Sequence, residues 1–388
     1  MRPETMKILD DFTEHNILAL EHFKRDGGKI IGFYCGFVPL ELIMAAGAIP
    51  VGLCGTKENP IPAAERILPR NLCPLIKSSF GFAITDTCPF FRLSDMLVAE
   101  TTCDGKKKMF ELLKEYKPMH VMHLPQGADR SSARTMWKEE VVSFWKLLED
   151  FCGVEITSDK LREAIRVCNI ERKTMKALHE LNRRDPAPLC GTDTMKALML
   201  IFFNADKVYG LDTVNQLIAE VKASSDVFSP FPAGAPRILL TGCPVSLGSE
   251  KVVGIAEECG ASVVCFEMCT GSRGFTLVDE NEEGDPLEAL VDRYLNIPCA
   301  CMSPNPGRPE LIGQLISEYQ VDGIIDLTWQ ACHTFAVEDA ILQHHNQVNW
   351  SLPFLHIETD YSSADLEQLK TRIAAFVEMM QDRRREGR

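Results

Sequence analysis

The sequence predicts an α/β protein made of two similar parallel-sheet units that face a shared cleft, with a helical insert between them. Apolar, β-branched runs alternate with helical patterns, the signature of parallel βαβ units. The layout occurs twice, on either side of a long stretch with purely helical periodicity. At 388 residues the chain is also long enough for two units that each bury a core.

In the first unit, "KIIGFYCGFVPLELIMAAGAIPVGLC" reads as strand, turn, helix, strand, and in the second "RILLTGCPVSLGSEKVVGIAEECGASVVCFEMC" reads the same way. Cys35 and Cys243 stand where the leading strand of each ends. Downstream, "MLVAETTCDGKKKMFELLKEYKPMHVMHLP" has the layout of "GIIDLTWQACHTFAVEDAILQHHNQVNWSLPFLHIETD": a strand, a cysteine, a helix and another strand. The segment "KEEVVSFWKLLEDFCGVEITSDKLREAIRVCNIERKTMKALHELNRR" and the later "TDTMKALMLIFFNADKVYGLDTVNQLIAEVKASS" have helical periodicity, and "SPFPAGAPR" is a Pro-rich lead into the second unit. The expected division is an N-terminal α/β domain with a leading helix (1–135), a helical insert or lid (136–233) and a C-terminal α/β domain (234–388). Both α/β domains are expected to be Rossmann-like, with ligands gathering beyond the carboxyl ends of the strands.

Hydrophobic content of 45% and charged content of 25% are globular values. No window approaches the roughly 18 apolar residues of a membrane span. The N-terminal segment carries acids throughout and lacks an apolar signal core, so the cytoplasm is the expected compartment. A net charge of −14 argues against nucleic-acid binding, which needs basic patches; "DGKKK" and "QDRRREGR" read as solvated. There is no G-x-x-x-x-G-K-[ST] phosphate loop, so no nucleotide site is expected, and no C-x-x-C for thiol exchange.

Fifteen cysteines are the outstanding feature of the composition. In a chain expected to be cytosolic they fit a disulfide framework poorly, leaving core thiols, redox thiols or metal ligands. If the two sheets face one another, Cys35, Cys73 and Cys103 approach the cleft from one side and Cys243, Cys301 and Cys332 from the other. Zinc fits poorly, because the close pairs are only Cys265/Cys269 and Cys299/Cys301. An iron–sulfur cluster accepts distant ligands. A cubane ordinarily takes about four thiolates, and two cubanes joined through one sulfide would leave roughly six positions for the protein. Cys54, Cys152, Cys168, Cys190, Cys259 and Cys265 are expected to be core or surface thiols.

Six segments together, "GFYCGFVPLELIMAAGAIPV", "LPRNLCPLIKSS", "ETTCDGKKKM", "EMCTGSRG", "VDGIIDLTWQACHTF" and "IETDYS", resemble the cluster-bearing subunits of the 2-hydroxyacyl-CoA dehydratase and benzoyl-CoA reductase family. The resemblance runs over nearly the whole chain and is nearest to the single-subunit branch of double-cubane cluster proteins; the cysteine in "LLTGCP" favours that branch over a dehydratase half. It implies one cubane on Cys73, Cys103 and Cys332, and a second completed by Cys243 and Cys301 with Cys35 or Cys269. It implies an [8Fe–9S] double cubane, or a [4Fe–4S] cluster in a dehydratase-type subunit. It further implies single electrons from an ATP-hydrolysing [4Fe–4S] activator, reduction of a small-molecule substrate, a homodimer and an oxygen-sensitive, anaerobic protein. The alternatives are a 2-hydroxyacyl-CoA dehydratase subunit with a different partner subunit, and a non-catalytic electron carrier or cluster store.

Glu41, Glu100, His333 and Glu358, near predicted strand or helix ends, are the candidate proton donors. Glu41 alternatively favours a first helical turn through the dipole, and His333 a hydrogen bond to cluster sulfur or a carbonyl. Lys77 either balances cluster charge or lies in solvent. Backbone amides at the helix starts after Cys73, Cys103 and Cys332 are placed to stabilise a negative cluster. Ser78 and Ser79 have no recognisable acid–base partner, which argues against a hydrolase.

Overall fold

The computed structural model describes residues 2–53, 55–224, 228–281 and 283–386, so Cys54 lies outside the described residues. Eight strands form two sheets. The first contains β1 (Ile30–Tyr34), β2 (Ile49–Gly52), β3 (Met96–Glu100) and β4 (Met119–Met122) in the order β2-β1-β3-β4. The second contains β5 (Arg237–Gly242), β6 (Ser262–Glu267), β7 (Gly323–Trp329) and β8 (Phe354–Thr359) in the order β6-β5-β7-β8. Every pairing is parallel, and the two orders are the same, so the halves are two Rossmann-like copies of one design.

The central strands are buried along their whole length, as expected where helices cover both faces of a parallel sheet, whereas the edge strands β4 and β8 are only partly covered. Side chains on a strand alternate between faces, and the alternation assigns them to different cores. Met96 and Val98 of β3 pack with Ile31, Phe33 and Trp137. Leu97 and Ala99 join Ile238, Leu240, Ile325 and Leu327 of the second sheet in one apolar cluster that spans both halves. The Tyr361 hydroxyl, donating to the Gly55 carbonyl at 3.1 Å, fastens the same junction.

Between β4 and β5 the chain is helical: Ser131–Cys152, Ser158–His179, Gly191–Phe203 and Lys207–Ala223, with a short 3₁₀ turn at Glu180–Arg183. The helical stretch opens at Ser131, ahead of the expected 136. Its last helices form a separate core with Met6, Leu9 and Phe12 from the N-terminal helices. No helix among the described residues is long and apolar enough to cross a membrane.

In both sheets the chain reverses direction beside the first strand, with β2 on one side of β1 and β3 on the other, and likewise β6 and β7 around β5. That reversal opens a crevice beyond the carboxyl ends of the inner strands. The cysteines at strand ends lie there.

Candidate functional site: two groups of thiols between the halves

Local backbone explains how the thiols are presented. Cys73, Cys103 and Cys332 cap the N-termini of the helices Pro74–Thr85, Asp104–Leu113 and His333–His345. The first amides of a helix have no partner within it; those of Leu75 and Ile76 bond to Cys73, and that of Phe335 to Cys332. At the strand ends the chain turns through left-handed conformations, with φ of 80° at Cys35, 108° at Gly242 and 58° at Ala331. Such values are uncommon outside glycine and collect at functional sites. At Gly242 a Cβ would stand 2.1 Å from the Leu327 carbonyl oxygen, so only glycine lets β5 approach β7 this closely. The next residue, Cys243, is thereby set with its N–H on Leu327 O at 2.7 Å and its Sγ accepting from the Trp329 N–H at 3.4 Å.

The thiols gather in two groups, and each draws on both halves. In the first, Cys332 is hydrogen-bonded to both Cys243 and Cys73. In the second, Cys299 is hydrogen-bonded to Cys301, with Cys35 and Cys269 alongside. The sequence predicts Cys35, Cys73 and Cys103 on one side of the cleft and Cys243, Cys301 and Cys332 on the other. In the structure the groups instead mix the halves, Cys73 going with Cys243 and Cys332, and Cys35 with Cys299 and Cys301, two thiols from the first half and four from the second. Cys103 packs against the same apolar cluster as Cys73, Cys243 and Cys332. Lys106, on the helix that Cys103 caps, is within electrostatic reach of Cys332 in one group and Cys35 in the other, so the groups are neighbours. No disulfide joins the described cysteines.

Cys299 was not among the ligands read from sequence, where it appeared only as half of a close pair with Cys301. Its signal is electrostatic. Arg273 Nη1 lies 4.0 Å from its Sγ, and the same guanidinium is fixed by the Glu267 carboxylate and, at 3.1 Å, by the Gly242 carbonyl. The hydrogen bond from Cys301, then Arg273, draws the Cys299 thiol down to about 6 against the cost of burial. Hydrogen bonds from Cys243 and Cys73 likewise draw Cys332 down to about 3. Cys243 is pushed up by burial and Cys73 by its bond to Cys332. In each group the negative charge is favoured on one sulfur, Cys332 or Cys299, over the thiols hydrogen-bonded to it, and the thiolate is the form that binds a metal.

Among the described residues, Asp326, Asp339 and His356 form the only set of three metal-ligating side chains whose donor atoms all lie within 4.8 Å of one another. No three thiols among the described residues are drawn together that closely. Soft sulfur donors suit iron–sulfur clusters and zinc alike.

The other candidates occupy different settings. Glu100, at the end of β3, is fully buried; Oε1 accepts from the Phe37 N–H at 2.7 Å, while Oε2 has no hydrogen-bond partner among the described residues. Burial pushes its carboxyl up to about 8, with Cys299 nearby adding to the rise. Glu41 is also buried, but Arg172 and Arg293 overcome the burial and hold its carboxyl below the usual range; Arg172 bonds to it at 2.6 Å and the Tyr294 hydroxyl at 2.7 Å. Lys77 is buried rather than in solvent, with Nζ 2.8 Å from Glu65 Oε1 and 3.0 Å from the Arg70 carbonyl. His333 is exposed at the first position of its helix, and Glu358 is exposed on the edge strand β8. Of the thiols expected to be structural, Cys168 lies 3.5 Å from the Met44 sulfur and Cys265 is buried beside Arg237.

A cavity of ≈ 40 Å³ opens beside Cys35, lined among others by Phe33, Val38, Arg172, Arg293 and Tyr294.

Comparison with known proteins gives this geometry a lineage. The "Putative dehydratase subunit YjiM" of Escherichia coli K12 is 44% identical over 96% of this chain and 98% of its own length. The (R)-phenyllactyl-CoA dehydratase beta subunit of Clostridium sporogenes is 26% identical over 93% of this chain and 94% of its own length. One of the benzoyl-CoA reductase subunits of Thauera aromatica is 20% identical, covering 90% of each chain. The model of the 2-hydroxyglutaryl-CoA dehydratase D-component family matches residues 35–380, from the first strand-end cysteine into the last helix. A doubled parallel sheet with its thiols gathered in the crevice, matched over residues 35–380, places the chain in the 2-hydroxyglutaryl-CoA dehydratase D-component family.

Proposed function

We propose that this chain is an iron–sulfur reductase in which both thiol groups hold cubanes, joined as a double cubane, and that it reduces a small substrate. The observation that carries the reading is the second group. A single dehydratase-type cubane on Cys73, Cys103 and Cys332 has no use for Cys35, Cys299 and Cys301, which stand together with Cys299 facing the buried Arg273. The family supplies cluster-bearing subunits of dehydratases and reductases, so an enzymatic role is the natural frame.

In this reading three of Cys73, Cys103, Cys243 and Cys332 serve one cubane and three of Cys35, Cys269, Cys299 and Cys301 the other, matching the roughly six protein positions of a sulfide-joined pair. Bound there, the cluster would supply single electrons of low potential, delivered by an ATP-hydrolysing activator. The protein's own part is electrostatic and steric. Arg273 and Lys106 offset the negative charge of the thiolates. Glu100 keeps its proton at neutral pH beside the second group and is the proton donor we favour, whereas Glu41 is locked as a carboxylate by Arg172. The cavity beside Cys35, at ≈ 40 Å³, is far below the roughly 300–1,000 Å³ of pockets for larger ligands, which supports a small substrate over a CoA thioester. We further infer a cytoplasmic homodimer.

The dehydratase reading is the second one, favoured by relatives that are named as beta subunits. Iron and acid-labile sulfide per chain in anaerobically purified protein, with the native mass, separate the two. About eight irons in a homodimer support the double cubane; about four, with a different protein co-purifying as partner, support the dehydratase.

A further inference from the structure

The set formed by Asp326, Asp339 and His356 lies on the far face of β7 from the shared core and is built from three elements. Asp326 on β7 and His356 on β8 are paired in register, and Asp339 comes from the helix His333–His345 that packs over them. Asp326 and Asp339 are 1% and 8% exposed.

Its hydrogen bonding is incomplete in a specific way. His356 Nδ1 lies 3.3 Å from Asp326 Oδ2 and 3.1 Å from Asp339 Oδ1. One ring N–H cannot satisfy two carboxylates, and Asp339 Oδ1 receives no well-directed hydrogen bond among the described residues. Asp326 Oδ1 has none either; its nearest cation, Arg308 Nη2 at 3.5 Å, donates instead to Thr241 Oγ1 at 2.9 Å. Buried carboxylate oxygens left in this state are costly and call for a partner.

The charge count points the same way. The buried network that contains the set holds four carboxylates, Glu267, Asp326, Glu338 and Asp339, against two guanidiniums, Arg273 and Arg308. With every carboxylate ionised and His356 neutral, two negative charges remain among these groups, the two aspartates drawing a proton toward His356 and burial raising Asp326. A proton on His356 offsets only one of them.

From this convergence we propose a second metal site, in which Asp326, Asp339 and His356 Nδ1 bind a divalent transition metal, most simply Zn²⁺. An imidazole selects zinc over magnesium or calcium, and three protein ligands with a partly exposed histidine leave a position for water. The site is separate from the thiols, yet linked to them: Arg308 contacts Asp326 and Glu267, Glu267 holds Arg273, and Arg273 faces Cys299.

The test uses anaerobically purified, cluster-loaded protein, washed with a chelator and titrated with Zn²⁺. Bound zinc is counted after desalting, and its ligands are read from zinc X-ray absorption. The expected result is one equivalent of zinc with a shell of nitrogen and oxygen only, at about 2.0–2.2 Å. His356→Gln, at a partly exposed position, and the isosteric Asp339→Asn should keep their iron and near-UV dichroism but bind zinc about a hundredfold more weakly. A sulfur shell near 2.3 Å would place the zinc on cysteines. That result, no zinc uptake by the wild type, or unchanged uptake by both variants would overturn the site.

Discussion

Replacing one thiol in each group separates one cluster from two. Cys301→Ser and Cys332→Ser are the informative pair, because both residues are half-buried and serine preserves the volume, so neither should disturb the fold. A serine oxygen is a poor substitute for soft sulfur at iron. If each group anchors its own cubane of about four irons, each variant should lose roughly half of about eight irons per chain while the other cubane stays. Cys88→Ser is the control: Cys88 is also half-buried and caps the short helix Pro89–Leu93, but it belongs to neither group, and its variant should keep full iron. Iron and sulfide determination on anaerobic preparations, beside the absorption spectrum, gives the answer. Full iron in Cys301→Ser would refute the reasoning, because it would show that the group around Arg273 ligates nothing.

Arg308→Met removes a fully buried guanidinium that contacts Glu267, Asp326 and Glu338, and should cost about 3–5 kcal/mol by urea denaturation, since it strands buried carboxylates. Glu100→Gln should leave iron content unchanged and lower turnover by at least about a hundredfold if Glu100 delivers the proton, measured with an activator and a chemical reductant. His179 is buried, accepts from the Phe266 N–H at 3.0 Å, and is held neutral down to about 3 by burial and then by Arg183. Above its unfolded value of roughly 6.5 it contributes nothing to the pH dependence. As pH falls below that value the unfolded chain takes up a proton that the folded chain refuses, so stability drops by about 1.4 kcal/mol per pH unit. Between pH 6.5 and 5 the wild type should therefore lose about 2 kcal/mol more than His179→Gln, compared by urea midpoints at both pH values.

Much of the fold was legible because a parallel sheet covered on both faces writes itself as unbroken apolar runs, and "IIGFY", "MLVAE", "RILLTG" and "GIIDLTW" are such runs. The position of the thiols at strand ends was legible for the same reason. Their grouping was not, because it depends on how one half docks on the other: nothing in the spacing of Cys73 says that its neighbour is Cys243 and not Cys35. Cys299 needed Arg273, 26 residues away, to stand out. Asp326 reads as one acid in an apolar strand, and only the register of β7 on β8 shows that His356 faces it. Lys77 looked like a charge for the cluster or for solvent because its partner, Glu65, lies in a loop whose path the sequence does not define.

The two copies of this design are not independent of one another. The inner sheet faces of the two copies contribute Leu97, Ala99, Leu240, Ile325 and Leu327 to one continuous apolar layer. Cutting the chain between the copies would put that layer in water on both fragments. The halves should therefore melt in a single transition, resist limited proteolysis as one body, and aggregate when expressed apart. Any opening that admits a large cofactor must then come from loops at the rim of the crevice, because hinging one copy away from the other would break the protein's largest core.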